Sequence, residues 1–347
     1  MDLKNELDSI SKKIEIMKKK DIKTDKKVFS QTINDENPMN LNYKKEFPNH
    51  ASISSPDGDS NCVSCIWKND YSIISHRKSD DSGIILLKDN ERNAVVFETP
   101  SFSSKIIDVS KNDNYFLSGT YTGMISLYDI RSGCLPVKMT SNPKKRHHCK
   151  VSGLGFYSDN HFVSCGVDGL LYYWDVYNMS TPFCKEFLSE DTMRNDKITV
   201  MSINRWQQII FGTENGKLLT KSYGMNEVEL SQYSSPITGI DTKLKTYDYI
   251  CVSALAGDIE LFEDMKSIYK DVNMSQIYLG CCFSPISDIS IATFFENGCL
   301  SILNTNTKSK KIFTASSSPI ACGSFNKTGN LLLTGHLDGT DKIIEIK

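Results

Sequence analysis

Seven glycines recur along the chain: Gly83, Gly123, Gly169, Gly216, Gly257, Gly298 and Gly339, separated by 40, 46, 47, 41, 41 and 41 residues. Five and six positions after each stands a large side chain followed by a polar one. The pairs are Lys88–Asp89, Tyr128–Asp129, Trp174–Asp175, Lys221–Ser222, Phe262–Glu263, Leu303–Asn304 and Ile344–Glu345. A fixed offset repeated seven times constrains the chain to seven copies of one small unit, each stacked on its neighbours.

The unit reads as a hairpin. FLSGTYTGMISLYDI and FVSCGVDGLLYYWDV each place two apolar runs around a small-residue turn, where glycine tolerates a positive φ. A further strand-like piece precedes each hairpin (KIIDVS, KVSGLGF, ITVMSI, ITGIDT, YLGCCF and IACGSF), and the segment after it supplies a fourth strand. Four strands in so short a repeat, with no room for a helix, resemble one blade of a WD-repeat propeller. The expected fold is therefore all-β, a seven-bladed WD-repeat β-propeller. At 347 residues the length alone would suggest two domains, but the repeat places residues 43–347 in one ring.

The third unit carries WDV at Trp174–Val176 and the components of a hydrogen-bonded blade network: His147, Ser164 or Cys165, Asp168 and Trp174. The other units lack at least one member, so apolar packing and backbone ladders must hold them. The last unit ends after its third strand, and Tyr43–Phe47, bounded by Pro48, is the candidate outer strand that completes it and removes an exposed edge. Residues 1–27 differ. Leu3, Leu7, Ile10, Ile14 and Met17 follow a heptad seam, with Asp8–Lys12 and Glu15–Lys19 as i,i+4 pairs, which predicts a coiled-coil α-helix. So short an amphipathic helix needs a partner, either its own propeller or a second chain. Residues 28–42 form an extended connector.

Lys+Arg 40 against Asp+Glu 42 gives a net charge of −2, which excludes a general basic field for nucleic acid. No signal-like segment, membrane-length apolar run or lipidation box is present, and the 11 scattered cysteines read as reduced thiols of a cytoplasmic protein. CVSC at Cys62–Cys65 lacks a second metal half-site and Cys281–Cys282 read as strand residues, so no metal is expected. GTENGKLL at Gly212–Leu219 fails phosphate-loop spacing and fits the fourth turn. KKRHHCK at Lys144–Lys150 is the strongest basic segment, read as a solvated loop or a docking site for acidic protein or anionic lipid headgroups. His147 and His148 beside Cys149 lack an oxyanion turn and an orienting third group, so neither a cofactor nor enzyme activity is expected.

The whole order of segments resembles the β subunits of heterotrimeric G proteins: a short coiled-coil helix, the connector FSQTINDENP at Phe29–Pro38, then seven blades closed by the N-terminal segment. The resemblance implies a signalling scaffold. Its helix would pair with a small lipid-bearing γ subunit through Leu3, Leu7, Ile10, Ile14 and Met17. Its narrow face would bind a GDP-bound α subunit, and effectors after α release. By position that face includes Asn61, Val63, Ser103, Lys105, Tyr121, Lys150, Met201, Pro236, Leu255 and Leu337. Ser103, Thr199, Pro236 and Leu337 stand where the family carries tryptophans and aspartates, so the resemblance leaves α binding open. It also implies a place at the cytoplasmic face of the plasma membrane, reached only through lipidated partners. A general WD-repeat adaptor for a ribosomal, ubiquitin-ligase or cytoskeletal complex is the other reading of the same residues.

Overall fold

The computed structural model describes residues 42–46, 60–68, 71–78, 83–89, 94–101, 104–109, 114–131, 135–140, 142–188, 196–245, 247–272, 276–286 and 290–346. The heptad seam at Leu3–Met17, and Ser103, lie outside these described residues. Among the described residues the helical content is a single 3-10 turn, Pro143–Lys145.

Seven antiparallel four-stranded sheets make the architecture. Blade 1 comprises Ser60–Lys68, Tyr71–Lys78, Gly83–Asp89 and Ala94–Ser101. Blade 2 is Ser104–Val109, Tyr115–Thr120, Ile125–Asp129 and the two-residue Lys138–Met139. Blade 3 is Val151–Phe156, His161–Gly166, Leu170–Asp175 and Cys184–Phe187. Blade 4 follows with Ile198–Ile203, Ile209–Thr213, Lys217–Lys221 and Val228–Gln232. Ile237–Leu244, Asp248–Ala254, Asp258–Glu263 and Lys266–Val272 form blade 5. Tyr278–Phe283, Ser290–Phe295, Cys299–Asn304 and Ser309–Thr314 form blade 6. Blade 7 takes Ile320–Phe325, Leu331–His336 and Asp341–Glu345 from the end of the chain and Asn42–Glu46 from its start. That closing strand begins one residue before the 43–47 read from the sequence.

Each first strand touches the first strands of both neighbouring blades, and those of blades 7 and 1 touch each other, so the ring is closed. Every first strand also carries one extra residue against its partner: Val63, Lys105, Ser152, Thr199, Thr238, Leu279 and Ala321. A bulge bends its strand and increases local twist. Repeating it at the same place seven times curves all the inner strands alike.

The core lies between blades. Alternate residues of each third strand face the preceding and the following blade. Leu170, Tyr172 and Trp174 pack on Leu117, Ile125 and Leu127 of blade 2, whereas Leu171 and Tyr173 pack on Ile198 and Phe211 of blade 4. Six of the seven repeat glycines sit in turns with φ between 71° and 98°. Gly83 instead begins a strand, paired with Arg77 and Ser101, because the first hairpin is longer.

Among the described residues neighbouring inner strands share no backbone ladder, and side chains stitch them. The Trp67 amide donates to Ser324 Oγ (3.0 Å), and Thr199 Oγ1 donates to Ile237 O (2.6 Å). Asp241 accepts from the amides of Phe283 in blade 6 (2.8 Å) and Thr242 (2.8 Å). Burial pushes the Asp241 carboxyl up to about 6, against the pull of those two amides and Lys243. An unfolded aspartate titrates near about 3.9. Between these values the folded chain binds the proton more tightly, so Asp241 makes stability fall as pH rises from about 4 through 6. Urea unfolding of the wild type and Asp241→Asn at pH 5 and pH 7 tests this. The wild type is expected to lose stability relative to the variant at the higher pH. A difference that does not change with pH contradicts the assignment.

Candidate interaction face

Antiparallel connectivity gathers two kinds of segment at one end of every sheet: the turn between its second and third strands, and the connector entering its first strand. A backbone bond joins them in blade after blade. Val167 N donates to Lys150 O (3.1 Å), Glu214 N to Lys197 O (2.8 Å), Leu255 N to Pro236 O (2.9 Å), and Leu337 N to Pro319 O (3.0 Å). Among the described residues, turns and connectors of blades 3, 4, 5 and 7 thus share one face.

The blade network is built at this face. Trp174 Nε1 donates to Ser164 Oγ (2.9 Å), and Ser164 Oγ lies 2.8 Å from His147 Nε2. His147 Nδ1 lies 3.3 Å from Asp168 Oδ1, which also accepts from the Leu170 amide. One assignment of protons satisfies every link: indole to hydroxyl, hydroxyl to imidazole, imidazole to carboxylate. Burial opposes ionisation of Asp168, yet the bonds from His147 and the Leu170 amide hold its carboxyl below the ordinary value. Of the two candidates for the hydroxyl position the structure selects Ser164. Cys165, one residue along the strand, faces blade 4 and meets Ser152 instead.

The ten residues that the resemblance implies for such a face separate into groups. Tyr121 and Lys150 come together with Arg77, which the sequence did not single out. The Arg77 guanidinium sits 4.7 Å and Lys150 Nζ 5.1 Å from the centre of the Tyr121 ring, and Arg77 Nη1 donates to the Tyr121 hydroxyl (3.3 Å). Arg77 could have been found as the last charged residue but one before the first turn. Asn61 and Leu337 are exposed, and Val63, Pro236 and Leu255 are half-buried. Lys105 occupies the bulge of blade 2. Met201 departs from its expected place. It is buried in the core between blades 3 and 4, filling the space beside Gly153, where an added Cβ would lie 2.3 Å from Met201 Cβ.

Lys144–Lys150 forms the connector into blade 3. Asn142 caps its 3-10 turn by accepting from the Lys144 amide, and buried His147 anchors its middle. Gly123 locks it from the blade 2 turn: with φ +80°, its Cβ would lie 1.9 Å from His147 O. Lys144, Lys145 and His148 are exposed, while Arg146 and Lys150 are half-buried.

The Cys149 thiol is pushed up to about 11 by burial and then by the Asp168 carboxylate, the reverse of what a nucleophile needs. Cys62 and Cys65 are buried in the seam between blades 7 and 1, with Cys62 Sγ 3.8 Å from Cys322 Sγ. Among the described residues no three His, Cys, Asp or Glu side chains gather as metal ligands. Gly216 makes the fourth turn at φ 84°, and the following Lys217 amide donates to Thr213 Oγ1, which accounts for the phosphate-loop-like segment as a hairpin.

The seams hold the residues that sequence reading missed. Lys88 and Lys221 occupy the position of Trp174 in blades 1 and 4, and both are buried. Each side chain reaches back to an acid of the preceding blade, Lys88 to Asp341 (2.7 Å) and Lys221 to Glu186 (3.2 Å). The signal was a lysine standing where the other units carry a large uncharged side chain.

Comparison with known proteins matches residues 141–175 and 307–345 to the WD domain, G-beta repeat family. These segments contain the hairpin of blade 3 and the three C-terminal strands of blade 7. The chain is also similar to the cytoplasmic dynein 1 intermediate chain of Drosophila melanogaster, 27% identical over 213 residues, or 56% of this chain and 32% of that protein. The matched region thus spans about a third of the relative's length. Two segments of the chain thus match the repeat, and its seven sheets form one closed ring, a seven-bladed β-propeller that carries WD repeats.

Proposed function

We propose that this protein is a non-catalytic scaffold that presents the turn-and-connector face of its propeller to one protein partner and its N-terminal helix to another. The observation that carries the reading is the cluster of Arg77, Tyr121 and Lys150, an aromatic ring flanked by cations on that face. Tyrosine and arginine are among the side chains most often found as interface anchors. Within this class the adaptor role is supported by the similarity to a dynein intermediate chain. A G-protein β-like role, with a γ-like chain on the helix and a GDP-bound α subunit on the face, rests on the resemblance in segment order. In that second reading α release frees the same face for effectors, and the lipid of the partner supplies contact with the membrane. No nucleic acid or cofactor enters either reading. No described helix is long and apolar enough to cross a membrane.

Affinity purification of the full chain from its native cell separates the two. In the β-like reading a small prenylated chain co-purifies, and Leu7→Asp with Ile14→Asp abolishes its capture while the propeller stays folded by circular dichroism. A stable monomer indifferent to any γ-like chain overturns that reading and leaves the adaptor. If face variants lose no partner, the scaffold reading itself fails.

A further inference from the structure

We infer that the connector Lys144–Lys150, together with Tyr121 and Arg77, forms a docking track for an Asp/Glu-rich segment of a partner protein. The inference deepens the scaffold reading and rests on it. Among the described residues no carboxylate lies within ion-pair distance of Lys144, Lys145, Arg146 or Lys150. The neighbouring acid, Asp168, is engaged by His147 and the Leu170 amide. Four cations therefore share one segment of a chain whose net charge is −2.

Such a concentration of like charge is costly on a compact surface and is relieved by an anionic partner. The segment is also held in place. Its 3-10 turn is capped by Asn142, its centre is buried through His147, and its backbone is pressed against Gly123. A track positioned before binding loses little conformational freedom on binding.

The arrangement selects among anions. Lys144, Lys145, Arg146 and Lys150 follow one another along a single connector, an order that suits successive carboxylates better than a single phosphate. Arg77 and Lys150 are half-buried beside the Tyr121 ring, within reach of an extended side chain. A flat bilayer meets protruding cations such as Lys144 and Lys145 but does not reach this inner pair.

The test uses the purified full chain and a fluorescein-labelled peptide of alternating Glu and Gly, read by anisotropy. Saturable binding is expected, weakening steeply between about 50 and 200 mM salt. Lys144→Glu with Lys145→Glu is expected to weaken it about tenfold or more, because two attractions become repulsions. Both positions are exposed, so folding is checked only as a control. Lys150→Gln separates the inner pair and is expected to weaken the peptide while leaving any adsorption to phosphatidylserine vesicles unchanged. A matched Gln/Gly peptide is expected not to bind. Equal binding of the acidic and Gln/Gly peptides, no effect of the double reversal, or binding to the vesicles alone overturns the inference. If the peptide fails while partners captured from the native cell are still lost on Tyr121→Ala, the scaffold reading stands and this one falls.

Discussion

Lys88→Met is expected to destabilise the propeller by about 3–5 kcal/mol, the typical cost of removing one member of a buried ion pair. Lys88 Nζ lies 2.7 Å from Asp341 Oδ2, with side-chain exposures of 2% and 0%. Burial lowers the Lys88 pKa, and the Asp341 charge and hydrogen bond pull it back toward the charged form. Without Lys88 the carboxylate remains inside with its main counter-charge gone. The double variant Lys88→Met with Asp341→Leu removes both charges and is expected to recover most of the loss, since apolar replacements of similar volume are tolerated. Urea unfolding of the wild type, both single variants and the double variant measures the coupling. A double variant no more stable than the worse single variant contradicts this account. Because the pair joins blades 1 and 7, where the two ends of the ring meet, proteolytic cutting next to Asn42–Glu46 is expected to accelerate in the single variants.

Trp174→Ala is expected to cost about 3–5 kcal/mol, the usual range for deleting a buried tryptophan side chain. The ring is fully buried, stacked 6.0 Å from Phe162, and packed edge-on against Tyr172 at 5.7 Å. Trp174→Phe keeps an aromatic ring and loses the Nε1 donor to Ser164, so about 1 kcal/mol is expected. Ser164→Ala strands both the indole N–H and His147 Nε2 and is expected to cost more than Trp174→Phe. The order Trp174→Ala, Ser164→Ala, Trp174→Phe, from most to least damaging in thermal unfolding, is the diagnostic result. Equal losses for the phenylalanine and alanine variants would mean that the hydrogen bond, and not the packing of the ring, holds this position together.

Both predictions concern the same position of the repeat, solved in two ways. Blade 3 fills it with an indole that spends its polar atom on a hydroxyl. Blade 1 fills it with an ammonium group that needs an acid from the preceding sheet. The offset of each large residue from its glycine was visible in the sequence. The acid was not, because Lys88 and Asp341 are 253 positions apart and come together only when the ring closes. The same limit applies to the interaction face. The resemblance implied Tyr121 and Lys150 for such a face but not Arg77, which meets them from blade 1. Met201 was implied for the face by the same resemblance, yet it is buried beside Gly153, which leaves space for it.

What the sequence determined by itself is whatever the repeat period and strand alternation encode. These are the number of blades, the four strands in each, six of the seven glycine turns and the candidate closing strand Tyr43–Phe47. Such features are local or repeated, so every copy reports on the others. The tertiary structure decided the seams and the face: which hydroxyl serves Trp174, where two buried lysines find their acids, and which cations converge on Tyr121. Those depend on atoms brought together by closing the ring, and a period along the chain carries no information about partners on the neighbouring sheet.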